Sequence, residues 1–409
     1  VSAQPETAGG VVALGTDEAA QHLESVASAR GPLVLEAVGL RKDYGLGNHR
    51  VLSAARDVSL GLYAGAVVAL VGESGSGKST VAKLLAGQEQ PTAGEVRLDG
   101  VAVHVRGRHA FRAYKSVVQY VFQDPFASLN PVHTVRYHLA RPVQIHQGDP
   151  RGADLEQRLT ALVEQVRLTP AAQFLAKYPH ELSGGQRQRV AVARALAAEP
   201  RVLLADEPVS MLDVSIRLEM LSLLDDLRSR LRLALLYITH DIASARYFAD
   251  EILVMYAGEV VERGPAEEVT QQPAHPYTQL LVSSAPDPDD LGSILRHGSG
   301  KVAEQSGEGA AFVSGCHFHP RCPFADDRCR VESPPTVTIG RRRAAACWRI
   351  DVAAPQVLAA AAQPDGAGRP GAGGADGIGG SAVGAAGGGD AGSGTTGDGR
   401  VPAGGSVTP

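Results

Sequence analysis

The run Gly72-Glu73-Ser74-Gly75-Ser76-Gly77-Lys78-Ser79-Thr80 constrains this chain more than any other segment. It satisfies G-x-x-x-x-G-K-[ST], and it follows a continuously apolar stretch, Ala66 to Val71, and precedes a helix-like stretch from Ser79 to Ala86 closed by Gly87. A strand, a glycine-rich turn and a helix N-terminus in that order are what phosphate binding requires. Glycines let successive backbone N–H groups point inward at phosphate oxygens, and the helix N-terminus adds positive potential. The residues expected to line a nucleotide are Gly72, Ser74, Gly75, Ser76, Gly77, Lys78, Ser79 and Thr80, with Lys78 as a point charge near the β and γ phosphates and Ser79 holding Mg²⁺.

Further apolar runs at Leu33 to Val38, Val202 to Ala205 and Leu233 to Ile238 alternate with helical stretches, which predicts an α/β fold with a largely parallel sheet. The chain of 409 residues divides by composition. Residues 1–31 are small and polar and read as a disordered tail; 32–285 carry the nucleotide-binding pattern, with a helical insert at about 126–187. Residues 286–352 hold all four cysteines and the only tryptophan, and 353–409 are Gly/Ala-rich and read as disordered.

A carboxylate at the C-terminal end of a parallel strand faces the ligand crevice, so Asp206 is the expected second Mg²⁺-associated group. Glu207 follows it and is placed to orient and polarise an attacking water. By itself such an Asp-Glu pair is as often a solvated strand end. Leu182-Ser183-Gly184-Gly185-Gln186, opening a helix at Gln188 to Ala197, makes a second anion-binding N-terminus in a chain with one phosphate loop.

At these residues the sequence resembles the ATP-binding-cassette ATPases, whose LSGGQ signature stands some twenty residues before the Asp-Glu strand. The resemblance implies a P-loop cassette with a RecA-like parallel-sheet core and a helical insert. It implies too that Ser183, Gly184, Gly185 and Gln186 of one subunit close on ATP held by the phosphate loop of another. Gln123 in Val121-Phe122-Gln123-Asp124-Pro125, Asp213 after Ser210-Met211-Leu212, and His240 after Ile238-Thr239 appear in the family's order. By resemblance Tyr44 stacks on adenine, Gln123 touches Mg²⁺ and the attacking water, Asp213 belongs to the loop facing the partner, and His240 contacts the γ-phosphate beside the base Glu207. Alone, Tyr44 would read equally well as a core aromatic and His240 better as a satisfied core histidine. Met211 departs from the alanine common at its position.

Phe122 to Pro131, Tyr178-Pro179-His180-Glu181 and His275-Pro276-Tyr277-Thr278 look like the oligopeptide/dipeptide importer ATPases, over about residues 33 to 350. Such a subunit pairs with a second ATPase, identical or related, and with two membrane permease subunits, and works indirectly with an external solute-binding protein. The implied function is ATP hydrolysis driving peptide uptake. Oligosaccharide or nickel uptake is the alternative within the family, and a soluble cassette acting on DNA or ribosomes the rival outside it. A purely regulatory role for the cysteine segment is a third reading.

The formal net charge of −5 argues against a general nucleic-acid binder, and Arg341-Arg342-Arg343 reads as a solvated loop. No run of eighteen apolar residues occurs, and no basic segment followed by an apolar one marks export. The expected location is peripheral, on the cytoplasmic face of the membrane.

The cysteines fall as Cys316-x5-Cys322-x6-Cys329-x17-Cys347. In a reducing compartment such clustering favours a metal or cluster over disulfides, but the paired C-x2-4-C spacing of structural zinc is absent and spacing does not choose the metal. Gly315-Cys316-His317-Phe318-His319-Pro320-Arg321-Cys322-Pro323-Phe324 resembles the C-terminal extension of the peptide importers, some of which hold a [4Fe-4S] cluster with these cysteines. Cluster, zinc and free buried thiols remain the three readings.

Overall fold

The computed structural model describes residues 31–47, 50–105, 107–285 and 313–361. The disorder expected for 1–31 and 353–409 concerns, apart from Gly31 and residues 353–361, residues outside these.

Two long strands, β1 (Leu33–Gly45) and β2 (Val51–Tyr63), pair antiparallel and lead into β3 (Val67–Val71). The phosphate loop follows, then α1 (Lys78–Leu85), β4 (Ala93–Leu98), β5 (Val101–Ala102), α2 (Gly107–Val117) and β6 (Val118–Val121). From there to β7 the chain is helical: α3 (Pro125–Ser128), α4 (Val135–His146), α5 (Gly152–Gln165), α6 (Ala171–Ala176) and α7 (Gly184–Leu196). The chain returns through β7 (Val202–Asp206), α8 (Val214–Leu231), β8 (Ala234–Thr239), α9 (Ile242–Phe248), β9 (Glu251–Tyr256) and β10 (Glu259–Pro265). It closes with α10 (Ala266–Gln271), α11 (Pro276–Ser284), α12 (Asp327–Val331), β11 (Thr336–Gly340), β12 (Arg343–Ala346), α13 (Ile350–Ala353) and α14 (Pro355–Ala361).

The main sheet runs β11-β12-β10-β9-β3-β8-β7-β6; strands β9, β3, β8, β7 and β6 run parallel to one another, and β10 pairs antiparallel with β9. Both faces of this parallel section are covered, which is why β3, β7, β8 and β9 are buried along their whole length. Alternation still governs which face each side chain meets. Val67, Ala69, Val71, Leu203, Leu235 and Tyr237 join the core built with the helices, whereas Val68, Leu70, Leu204, Leu236 and Ile238 join the core beneath the antiparallel sheet β2-β1-β4-β5. Each fully buried Val or Leu contributes about 1.5–3 kcal/mol relative to exposure.

The expected α/β cassette with a helical insert is therefore the fold. The four-stranded antiparallel sheet was not anticipated as a unit: only Leu33 to Val38 reads as strand, and the bulged register of β1 on β2 breaks simple alternation beyond it. Two further points differ from expectation. The low-complexity boundary at 353 is too early, since Val357 of α14 is buried with Val337, Ile339, Ala345 and Ile350. Arg343 is no solvated loop residue: it stands in β12, only 3% exposed, and Nη2 donates to Glu262 Oε1 at 2.8 Å.

Candidate nucleotide site and cysteine module

Parallel register brings three strand ends to one level. Val71 pairs with Thr239, and Asp206 with Ile238, so the phosphate loop, the Asp206-Glu207 pair and His240 emerge side by side. The loop is packed too closely for side chains at two glycines. A Cβ on Gly72 would stand 2.2 Å from the Met255 carbonyl oxygen, and one on Gly77, whose φ is +105°, would stand 2.0 Å from that of Ala54. Lys78 is 5% exposed, and its Nζ donates to the carbonyls of Gly72 and Glu73 at 2.7 Å each. Burial holds its pKa below the ordinary lysine value, while Glu207, Asp206 and Glu73 pull it back. Ser79 and Thr80 are half-buried in the first turn of α1, and Ser74 and Gly75 are exposed at the loop tip.

Asp206 is buried; its Oδ2 accepts from the Tyr120 hydroxyl at 2.6 Å, while Oδ1 has no hydrogen-bond partner among the described residues. Ser76 Oγ is orphaned in the same way. A buried carboxylate oxygen without a donor is costly unless a cation or its water meets it, so Ser79, Asp206 and Gln123 fit a magnesium-nucleotide complex in donor chemistry.

Glu207 sits at φ +44°, a left-handed conformation that costs a non-glycine residue on the order of 1–3 kcal/mol. Its N–H donates to the Ile238 carbonyl at 2.9 Å, and its own carbonyl accepts from Ser210 N and Oγ at 3.2 and 3.0 Å. The carboxylate is thereby aimed at Gln123, whose Nε2 donates at 2.9 Å, and at His240, whose Nδ1 lies 3.4 Å from Oε1. The bond to His240 is the main reason that the Glu207 pKa falls, and the same bond raises that of His240.

Tyr44 is half-buried at the end of β1; its hydroxyl donates to Glu89 and the Lys42 ammonium lies 5.2 Å from its ring centre. Ser183 caps α7: its Oγ accepts from Gln186 N at 3.3 Å while Gln186 Oε1 accepts from Ser183 N at 3.1 Å. Gly185 is buried against Ile216, Gly184 has the Leu212 side chain 3.7 Å from a notional Cβ, and Asp213 is exposed at the start of α8. No hydrogen bond among the described residues joins Ser183 to Gln186 with the phosphate loop. Met211, Val214 and Leu218 are exposed near this helix end.

Sequence motifs missed three neighbours of the site. Tyr120 holds Asp206, Tyr277 Oη accepts from Glu73 N at 2.9 Å, and Arg321 grips the Glu73 carboxylate with a two-pronged bond of 2.9 and 3.0 Å. All three lie far along the chain from their partners, and only the quoted His275-Pro276-Tyr277-Thr278 and Arg321-Cys322 runs marked two of them at all.

The four cysteines are free thiols, and burial pushes Cys316 up to about 11 and Cys347 up to about 12, with Cys322 and Cys329 also raised. A thiolate at Cys316, Cys322 or Cys329 would push Cys347 up further, which places the four within electrostatic reach of one another. Backbone N–H groups of Phe318, Phe324 and Arg349 each favour the thiolate two residues earlier, Arg349 N lying 3.3 Å from Cys347 Sγ. Among the described residues no three His, Cys, Asp or Glu side chains are gathered tightly enough to hold a metal ion. The donor chemistry fits a four-thiolate group, but the four side chains as they stand do not form a ligand set.

No helix among the described residues is long and apolar enough to cross a membrane. Residues 55–210 match the ABC transporter family model, and residues 261–329 match that of the oligopeptide/dipeptide transporter C-terminal region. The probable peptide ABC transporter ATP-binding protein y4tS of Sinorhizobium fredii is 41% identical over 73% of this chain and 83% of its own length. The di/tripeptide transport ATP-binding protein DppF of Pseudomonas aeruginosa is 40% identical over 73% and 90%. Among solved structures, the dimeric post-hydrolysis state of the ATP-binding cassette MJ0796 bound to ADP and Pi aligns with a TM-score of 0.52 and 30% identity, covering 57% of this chain and 98% of that one.

Proposed function

The chain belongs to the ATP-binding-cassette transporter family, in its oligopeptide/dipeptide branch, and from that premise we propose that it is the ATP-hydrolysing subunit of an importer driving peptides across the cytoplasmic membrane. The observation that carries the catalytic reading is the convergence of Gln123 and His240 on Glu207, next to the buried Lys78. Glu207 acts as the base that orients water for in-line attack, and its lowered pKa keeps it ionised. Lys78 and the loop N–H groups would hold the β and γ phosphates, Ser79, Asp206 and Gln123 would supply the magnesium-side oxygens, and Tyr44 would stack on the adenine. Bound Mg²⁺ neutralises charge on the triphosphate. His240 fixes the base and meets the γ-phosphate.

Ser183 to Gln186 and Asp213 serve the phosphate loop of a second ATPase subunit, identical or related. The capped, outward-facing start of α7 supports that reading, as does the exposed apolar set Met211, Val214 and Leu218. A cleft of about 430 Å³ between β6, α4 and α7, lined by Tyr120, Phe122, Tyr137, Arg141, Ile145 and Arg194, suits docking of the permease subunits and would attach the chain peripherally at the cytoplasmic face. In domain terms, 32–285 form the nucleotide-binding unit with its helical insert at about 126–187, and the extension runs from 286 through α14. For the cysteine quartet an iron–sulfur cluster is the reading to be tested: the thiolate-directed N–H groups favour it, and the thiols, which do not gather as a ligand set as they stand, would have to draw together around it. Iron with acid-labile sulfide in anaerobically purified chain is expected; stoichiometric zinc without sulfide would replace the cluster by zinc.

Glu207→Gln in the assembled transporter tests the catalytic reading. ATP hydrolysis should fall at least a hundredfold while nucleotide binding persists; hydrolysis at the parent rate would remove Glu207 from its role. Copurification with two permease subunits, and peptide retained by the associated binding protein, test the transport reading; an oligosaccharide or nickel ion there would redirect it.

A further inference from the structure

Glu73 is an odd neighbour for a triphosphate. It is the second residue of the phosphate loop, its backbone carbonyl is held by Lys78 Nζ, and its side chain adds a third negative charge, with Asp206 and Glu207, to those acting on that lysine. A free carboxylate at this place would repel the very group the loop is shaped to receive. Two residues from the C-terminal part of the chain deal with it. Tyr277 of α11 accepts from the Glu73 N–H, and Arg321, one residue before Cys322, closes both guanidinium prongs on the carboxylate.

The anchoring of Arg321 is aromatic. Its guanidinium lies 5.9 Å from the ring centre of Tyr256 and 5.7 Å from that of Phe318. Tyr256, Tyr277 and Phe318 pack on one another with centroids 4.6 to 5.5 Å apart. Tyr256 ends β9, and the turn that follows it clasps the loop, with Gly258 N donating to the Ser76 carbonyl at 2.9 Å. A planar fork on a planar carboxylate has a fixed geometry, so Arg321 sets where the Glu73 charge points as well as screening it.

We propose that Arg321 is a positioning residue of the nucleotide site: the cysteine module reaches back to tie off the Glu73 carboxylate, so that the phosphate loop presents donors and not a free negative charge. The inference rests on the ATP reading of the loop. It makes nucleotide affinity depend on the seating of a module some 250 residues further along the chain, at a contact with no part in the chemistry.

A double-mutant cycle on the full-length chain, read by fluorescent ATP titration and by thermal melting, tests this. Arg321→Ala should raise the ATP Kd about tenfold. In a Glu73→Gln background the same change should cost less than twofold, because no carboxylate is left to restrain. Arg321→Lys keeps the charge but not the fork; about a threefold rise is expected, and it carries the same cycle if the alanine variant does not fold. An unchanged Kd in Arg321→Ala, or an equal loss in both backgrounds, would overturn the proposal, the second outcome leaving Arg321 as a packing residue only. A parent chain that binds no ATP would instead overturn the reading of the loop, and this inference with it.

Discussion

At the scale of single residues the site is governed by a coupled acid–base pair. The Glu207 carboxylate lowers its own pKa by bonding His240 and raises that of the imidazole. The signs define a window. The histidine's share of stability is fully present below its ordinary pKa of about 6.5 and disappears as pH rises through the raised folded value. The carboxylate's share is present above its ordinary pKa and is lost as pH falls through the lowered one. Between the two the ion pair stands, though His240 is 58% exposed at its side chain and the pair contributes no more than about 1 kcal/mol. Glu207→Gln should therefore move the His240 titration downward, because burial and the Lys78 charge are then opposed only by Asp241; a nuclear magnetic resonance titration reads it, and an unmoved midpoint would show the pair to be absent in solution. Gly77→Ala tests the loop itself. Its Cβ would press on the Ala54 carbonyl at positive φ, so a loss of at least about 2 kcal/mol in urea unfolding is expected.

At the scale of elements, α7 shows how a helix start serves two ends. The reciprocal bonds of Ser183 and Gln186 satisfy two otherwise orphaned backbone donors of the first turn, while Gly184 and Gly185 add no side chain over the other N–H groups of that turn. Ser183→Ala should cost about 1 kcal/mol of stability, measured by denaturant unfolding, together with loss of hydrolysis in the assembled transporter. Stability loss without loss of hydrolysis would confine the serine to capping. The segment was legible in the sequence because a capping box and an anion-binding turn are both local: everything they need lies within five residues. The same holds for Gly72 to Thr80. It does not hold for β1 and β2, where bulges disrupt the alternation that would have announced them.

At the scale of the whole molecule, the extension is built into the cassette and not appended to it. Strands β11 and β12 continue the main sheet beyond β10, and Phe318, Cys316 and Cys322 pack on the core shared by β3, β8 and the helices. The buried pair Arg343–Glu262 fastens this edge, with Glu262 also accepting from the N–H groups of Ala274 and His275. Arg343→Ala leaves part of that carboxylate's demand unmet and should destabilise by about 3–5 kcal/mol in urea unfolding. A cost below 1 kcal/mol would mean that water reaches the edge.

By itself the sequence determined the phosphate loop, the signature turn, the strand that delivers Asp206 and Glu207, and the α/β class, because each depends on residues adjacent in the chain or on its hydrophobic period. Only the tertiary structure decided that Gln123 and His240 meet on Glu207, that Tyr120 holds Asp206, that Arg343 is buried and that Arg321 reaches Glu73. Those meetings follow from the register of parallel strands and from packing between segments up to 248 residues apart, and neither leaves a periodic trace in the chain.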